Sequence, residues 1–290
     1  MKLASSELIL NPDGSVYHLH LLPEQIADTI FFVGDPDRVA KVSRHFDKIE
    51  HKVQKREFIT HTGELGGRRL TVISTGIGPD NIDIVMNELD ALVNIDLHTR
   101  TIKETLKTLN IVRLGTSGSL SADIPVDSFV VSALGMGLDN LLYYYNYPAS
   151  PREETLRQAF TSFAAGIGTN LNPIAVEADH GLVKRFGQNM HRGITLTCPG
   201  FYAPQGRKLR LDSIINQDFF EKICQFSFEG LRVTNFEMET SAILGLSRML
   251  GHRATACNAI LVNRITGEFS KDPKKTEERL IEQVFANCEL

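Results

Sequence analysis

A three-layer αβα sandwich around a mixed, mostly parallel twisted sheet is the fold class this sequence predicts, and three observations lead to it. Short apolar runs of strand length alternate along the chain with amphipathic segments of helical period. Polar, glycine-punctuated stretches repeatedly follow those apolar runs, where ligand-bearing loops of open α/β sheets lie beyond the strand ends. The 290 residues are 42% hydrophobic and carry no repeat, low-complexity tract or linker, so a single domain over 1–290 with a substantial core is expected.

Taken in order, residues 1–29 read as loop, broken by Pro12, Gly14 and Pro23. Ile30–Val33 is a compact strand ending at Gly34, and Asp35 or Asp37 can cap a helix carrying Val39, Val42 and Phe46. Residues 49–76 read as a β ribbon turning at Gly66 and Gly67. Pro79 then opens a helix with a core stripe of Ile82, Val85, Met86, Leu89 and Leu92. Asp96–Leu109 is polar and permits a helix. Asn110–Leu120 reads as a short strand running into a glycine-punctuated hydroxyl turn. Asp127–Ala133 and Ile194–Cys198 are expected strands, and Pro151–Ala165 and Gln217–Glu229 expected helices. A strand at Val233–Phe236, a helix at Glu239–Leu250, a strand at Ala254–Val262 and a helix opening at Asp272-Pro273 complete the chain.

The formal net charge of −4 offers no basic surface for nucleic acid and no polybasic anchor for a membrane, which leaves small-molecule chemistry as the better expectation. No segment approaches the roughly 18 uninterrupted apolar residues of a membrane span. The four cysteines, Cys198, Cys224, Cys257 and Cys288, form no CxxC pair, so buried thiols in a reducing, cytoplasmic setting are expected rather than a zinc or dithiol site. His18 and His20 alternate as strand ligands would, but without a nearby acidic or cysteine partner no metal site is expected.

Anion chemistry stands out instead. Arg113 offers a fork of donors to a tetrahedral oxyanion, Gly115 and Gly118 admit close backbone approach, and Thr116 and Ser117 add hydroxyls. The same residues would also suit an ordinary tight turn. Arg38 falls in a first helical turn, where a cation is unfavourable unless it faces solvent or an anion. With Arg56, which is as easily a solvated charge, these arginines suit one inorganic phosphate; GxxxxGK[ST] and GxGxxG are both missing from the sequence. Gln205 and Arg207, two apart after Phe201-Tyr202, match the donor and acceptor of a uracil edge and an oxygen that becomes negative, and equally suit a plain polar loop after a strand. Glu237-Met238-Glu239 either receives vicinal hydroxyls of a ribose or caps the following helix.

The motifs Gly34-Asp-Pro-Asp-Arg38, Arg56-Glu-Phe58, Ser74-Thr-Gly-Ile-Gly78, Arg113-Leu-Gly-Thr-Ser-Gly118, Phe201-Tyr202, Gln205-x-Arg207, Asn235-Phe-Glu-Met-Glu239 and Val262-Asn-Arg264, in this order, resemble the nucleoside phosphorylase-I family. The resemblance is strongest to its uridine phosphorylase branch. It implies phosphorolysis of uridine to uracil and ribose 1-phosphate, a pentosyl transfer of pyrimidine salvage, with phosphate as co-substrate and neither metal nor organic cofactor. By the same resemblance Gly34, Arg38, Arg113 and Thr116 would bind phosphate, with Arg56 contributed by a neighbouring subunit. Thr116, Met238 and Glu239 would hold the ribose, with His18 from the neighbour. Phe201, Gln205 and Arg207 would form the uracil pocket, with Gly118 lining it and Arg264 at its rim. Catalysis would rest on Arg113, Gln205, Arg207 and Glu239. A homo-oligomer with shared sites is implied, a dimer or a hexamer built as a trimer of dimers. A purine phosphorylase, a nucleosidase and a non-catalytic nucleoside-binding protein on this fold are the alternatives. Asn263 stands where the purine branch carries an aspartate, Gly206 replaces a frequent acidic residue, and Asn94–Asn110 and Asn140–Pro151 depart from the pattern.

Overall fold

The apolar run Thr29–Val33 forms β1, whose last four residues are buried, and the rest of the chain builds outward from it. The computed structural model describes residues 2–288. The other strands are β2 (Lys48–Lys55), β3 (Phe58–Leu65), β4 (Arg68–Ser74), β5 (Ile95–Asp96), β6 (Thr101–Ile102), β7 (Asn110–Ser119), β8 (Phe129–Gly137), β9 (Ile174–Glu177), β10 (His191–Thr197), β11 (Ser227–Phe228), β12 (Leu231–Glu237) and β13 (Arg253–Asn263). The helices are α1 (Pro36–Ser43), α2 (Pro79–Asn94), α3 (Pro151–Gly166), α4 (His180–Phe186), α5 (Gln217–Ile223), α6 (Thr240–Met249) and α7 (Pro273–Ala286).

Local chemistry accounts for most boundaries. Asp35 caps α1 through the Asp37 N–H, Asp272 caps α7 through Lys275, and Ser150 with Glu153 forms a reciprocal capping box on α3. Gly66 and Gly67 both have positive φ, which permits the two-residue hairpin between β3 and β4.

The large sheet runs β11-β12-β10-β8-β13-β7-β1-β4-β3-β2, with β9 paired to β8. The central pairs β4–β1, β1–β7, β7–β13, β8–β10 and β10–β12 are parallel, and the β2–β3–β4 ribbon is antiparallel. Helices cover both faces. α4 and α7 meet over Phe31, whose ring contacts Phe186 and Phe285 edge-on, and α2 packs on α6. The fold class is therefore the expected one, with an addition. The end of β7 also pairs with β12, Gly118 opposite Phe236 and Ser119 opposite Asn235, so β7, β13, β8, β10 and β12 close a ring.

Several local expectations change. Gly115–Gly118 is no turn: β7 stays extended through Ser119 because β13 pairs with it from Asn110 to Ser119. Asp96–Leu109 is not helical. Asp96 accepts the His98 and Thr99 N–H groups, Arg100 takes positive φ, and a β5–β6 hairpin forms. The helix expected to reach Glu229 stops at Ile223; a tight turn with Glu229 and Gly230 at positive φ then joins β11 to β12. β9 and α4 lie in a stretch where the sequence suggested no element. His18 and His20 lie outside any strand and pair with different acids, Glu88 and Asp13. No disulfide joins the cysteines among the described residues, and Cys224 is only partly buried.

Candidate active site

The ends of β1, β4, β12 and β13, the second half of β7 and the loop after β10 enclose a cavity of about 710 Å³. It is lined by Gly34, Arg38, Arg113, Thr116, Gly118, Phe201, Gln205, Arg207, Met238 and Glu239, residues spread over most of the chain length. Phe236, Glu237, Val262 and Phe269 also face it, together with Ile77 and Asn81. Phe236 and Val262 could have been found from the apolar runs that end there; Phe269 carries no signal in sequence.

β7 presents Arg113 and Thr116 to the cavity. The Arg113 guanidinium is nearly fully buried, with Nη2 bonded to Glu239 Oε2 and Nε 3.2 Å from Glu237 Oε2. Neither Nε nor Nη1 has a well-aligned acceptor among the described residues, so donors remain for an anion. Gly115 makes this placement feasible, because a Cβ there would stand 2.4 Å from Asn258 Oδ1 and 3.0 Å from Arg113 Nε. Glycine therefore serves close packing here, and not the turn geometry that the sequence suggested.

The two glutamates divide the roles that the sequence left open. Glu237 caps the start of α6, accepting from the Glu239 and Thr240 N–H groups and from Thr197 Oγ1. Glu239 turns the other way, toward Arg113 and the Gly78 N–H at 2.8 Å. Burial raises the Glu239 carboxyl pKa, with Arg113 opposing and Glu237 adding to the rise. Gly78 has φ of 101°, a backbone open to glycine, so the Gly76-Ile-Gly78 segment can aim its N–H at the carboxylate.

Gln205 and Arg207 form a preset pair. Arg207 Nη1 donates to Gln205 Oε1 at 2.7 Å and to the Phe201 carbonyl, and its guanidinium lies 3.7 Å from the Phe201 ring centroid. Burial, followed by the neighbouring Arg264 charge, lowers the Arg207 pKa to about 10. The group keeps its proton at neutral pH, and the shift marks a cation that gains from an incoming negative oxygen. Arg264 stands behind the wall, donating to the Gln205 carbonyl at 3.1 Å.

Three expected residues stay away from this cavity within one chain. Arg56 is exposed in the β2–β3 turn with φ of 53°, and His18 bonds to Glu88 of α2 at 2.6 Å. Arg264 supports the cavity without lining it. Arg38 does reach the cavity, but its partner in the structure is a carboxylate, Glu277 Oε1 at 2.9 Å.

The sequence profile of the phosphorylase superfamily matches residues 28–287. The uridine phosphorylase of Thermococcus kodakarensis is 29% identical over 280 residues, covering 94% of this chain and 87% of that protein. The Escherichia coli uridine phosphorylase is 28% identical over 275 residues, covering 93% and 96%. The crystal structure of Trypanosoma brucei nucleoside phosphorylase, which shows uridine phosphorylase activity, superposes with a TM-score of 0.86 at 28% identity, covering 97% of this chain and 98% of that one.

Proposed function

The chain belongs to the phosphorylase superfamily, and we propose that it is a uridine phosphorylase, transferring ribose reversibly between uracil and inorganic phosphate. The observation that carries this reading is one cavity holding both the Arg113–Glu239 pair and the Gln205–Arg207 pair. In this reading phosphate lies against Arg38, Arg113, Thr116 and the backbone at Gly34. Glu239 and Met238 hold the ribose, and Gln205 presents its amide to the uracil edge. Arg264 acts through the Gln205 backbone.

A phosphate oxygen forms the new bond to C1′ as the C1′–N1 bond breaks, and the bond electrons leave with uracil. Arg207, a half-buried cation whose hydrogen-bond partners are neutral, stabilises the negative charge developing on the base. Holding phosphate and nucleoside in one enclosed space lowers the entropic barrier to attack. Phosphate serves as co-substrate, and the chemistry calls for no resident cofactor. The same reading gives Arg56 and His18 to the site of a second copy, since both lie outside the cavity of their own chain. It places the enzyme in a reducing cytoplasm, in keeping with cysteines that form no disulfide; no helix among the described residues is long and apolar enough to cross a membrane.

Asn263 supports reading the substrate as a pyrimidine nucleoside. Its Nδ2 donates to the Ser121 and Ile124 carbonyls and its Oδ1 accepts from the Ile265 and Thr266 N–H groups, so the buried amide is consumed by the loop. It has no proton to give a purine leaving group. Incubation with uridine, thymidine and inosine, with and without phosphate, tests the proposal by release of free base. Uridine cleavage that requires phosphate is the expected result; inosine cleavage alone, or base release indifferent to phosphate, would overturn it.

A further inference from the structure

We infer that Glu277, on the C-terminal helix, is a positioning residue that orients Arg38 toward phosphate; this rests on the reading of Arg38 as a phosphate ligand. Arg38 sits in the first turn of α1, where the helix dipole disfavours a cation. Its side chain is only 9% exposed, so it needs a fixed anionic neighbour. Glu277 supplies one from 239 positions away, with Nη2 to Oε1 at 2.9 Å and Nε to Oε2 at 3.4 Å. The carboxylate thus occupies the Nε side of the guanidinium fork. Nη1 makes one long contact, 3.4 Å to the Leu114 carbonyl, and is the end of the fork that no carboxylate among the described residues engages.

Glu277 is itself held in place. Lys41 Nζ lies 3.3 Å from Oε2, and the preceding Thr276 bonds to Asp127 in the loop before β8. Farther along α7, Phe285 packs against Phe31 and Phe46. The helix therefore carries a rigid carboxylate to the outer side of a cavity-lining arginine. Because Glu277 and phosphate meet different parts of the fork, the glutamate orients Arg38 and does not compete for it.

Steady-state kinetics on the full-length enzyme at varied phosphate test this. In Glu277→Gln the phosphate KM is expected to rise roughly tenfold, the scale at which partners of ligand-binding groups act, while the uridine KM stays within about twofold. The decisive readout is coupling: in an Arg38→Ala background Glu277→Gln should add less than a twofold change. Should Glu277→Gln not fold, Glu277→Asp carries the same comparison, with a smaller rise that again vanishes without Arg38. A phosphate KM unchanged from wild type, or an equal rise with and without Arg38, would overturn the inference. Wild-type uracil release that ignores phosphate would instead defeat the proposed function, which keeps the two failures apart.

Discussion

Gly115 shows at the residue scale how one missing side chain shapes the site. It pairs with Asn258 across β7 and β13, and an added Cβ would meet the Asn258 oxygen at 2.4 Å before reaching Arg113 Nε at 3.0 Å. Asn258 and Arg113 are both buried, so the added Cβ presses on both side chains, and the Arg113 contacts to Glu237 and Glu239 lie in its path. For Gly115→Ala we expect a higher phosphate KM and a loss of roughly 1–3 kcal/mol in stability from overpacking. Kinetics at varied phosphate and urea unfolding measure the two effects. An unchanged phosphate KM would argue that Arg113 does not meet phosphate.

At the scale of elements, the short 3₁₀ turn Ala203–Gln205 decides how Gln205 is presented to the cavity. Gly206 ends that turn in the left-handed region with φ of 64°, and a Cβ there would fall 2.5 Å from the Phe220 ring and 2.9 Å from the Ile215 carbonyl. That packing requires glycine where an acidic residue is frequent in the family this sequence resembles. Gly206→Asp is expected to cost about 1–3 kcal/mol in local strain and to raise the uridine KM while sparing the phosphate KM. Equal effects on both substrates would instead indicate general unfolding, which a thermal melt resolves. The outcome for Glu237 and Glu239 also belongs to this scale. The start of α6 needs acceptors for its first N–H groups, and Glu237, at the end of β12, takes that of Thr240 while Thr197 Oγ1 takes that of Ser241. Glu239 is thereby left for the cavity.

The whole molecule adds closure. Pairing of β7 with β12 closes the ring that brings Arg113 beside Glu237 and Glu239. Ile77 and Phe269 remain 69% and 64% exposed at the cavity wall, and Arg56 and His18 lie outside its lining, an arrangement suited to a second copy. If sites are shared, mixing Arg56→Ala with Arg113→Ala subunits restores activity. Random reassociation into dimers should recover about a quarter of the wild-type rate, since half the dimers are mixed and each has one intact site. Activity assays after dissociation and remixing measure this. A mixture no more active than its parents would assign Arg56 to its own chain or to no site.

Much of this was legible in the residues themselves. Strand and helix periods, caps at Asp35 and Asp272 and the glycine pair at Gly66 are local properties, so the αβα class and most elements followed from the chain directly. The motifs carrying Gly34, Arg113, Gln205 and Glu239 are likewise short, and their chemistry can be read within a few residues. Only the tertiary structure decided which groups meet. Arg113 and Glu239 are 126 positions apart and Arg38 and Glu277 are 239 apart, and no local pattern couples residues at such separations. It also showed that Gly115–Gly118 continues a strand, because pairing to β13 and β12 satisfies backbone groups that an isolated segment would have turned to satisfy.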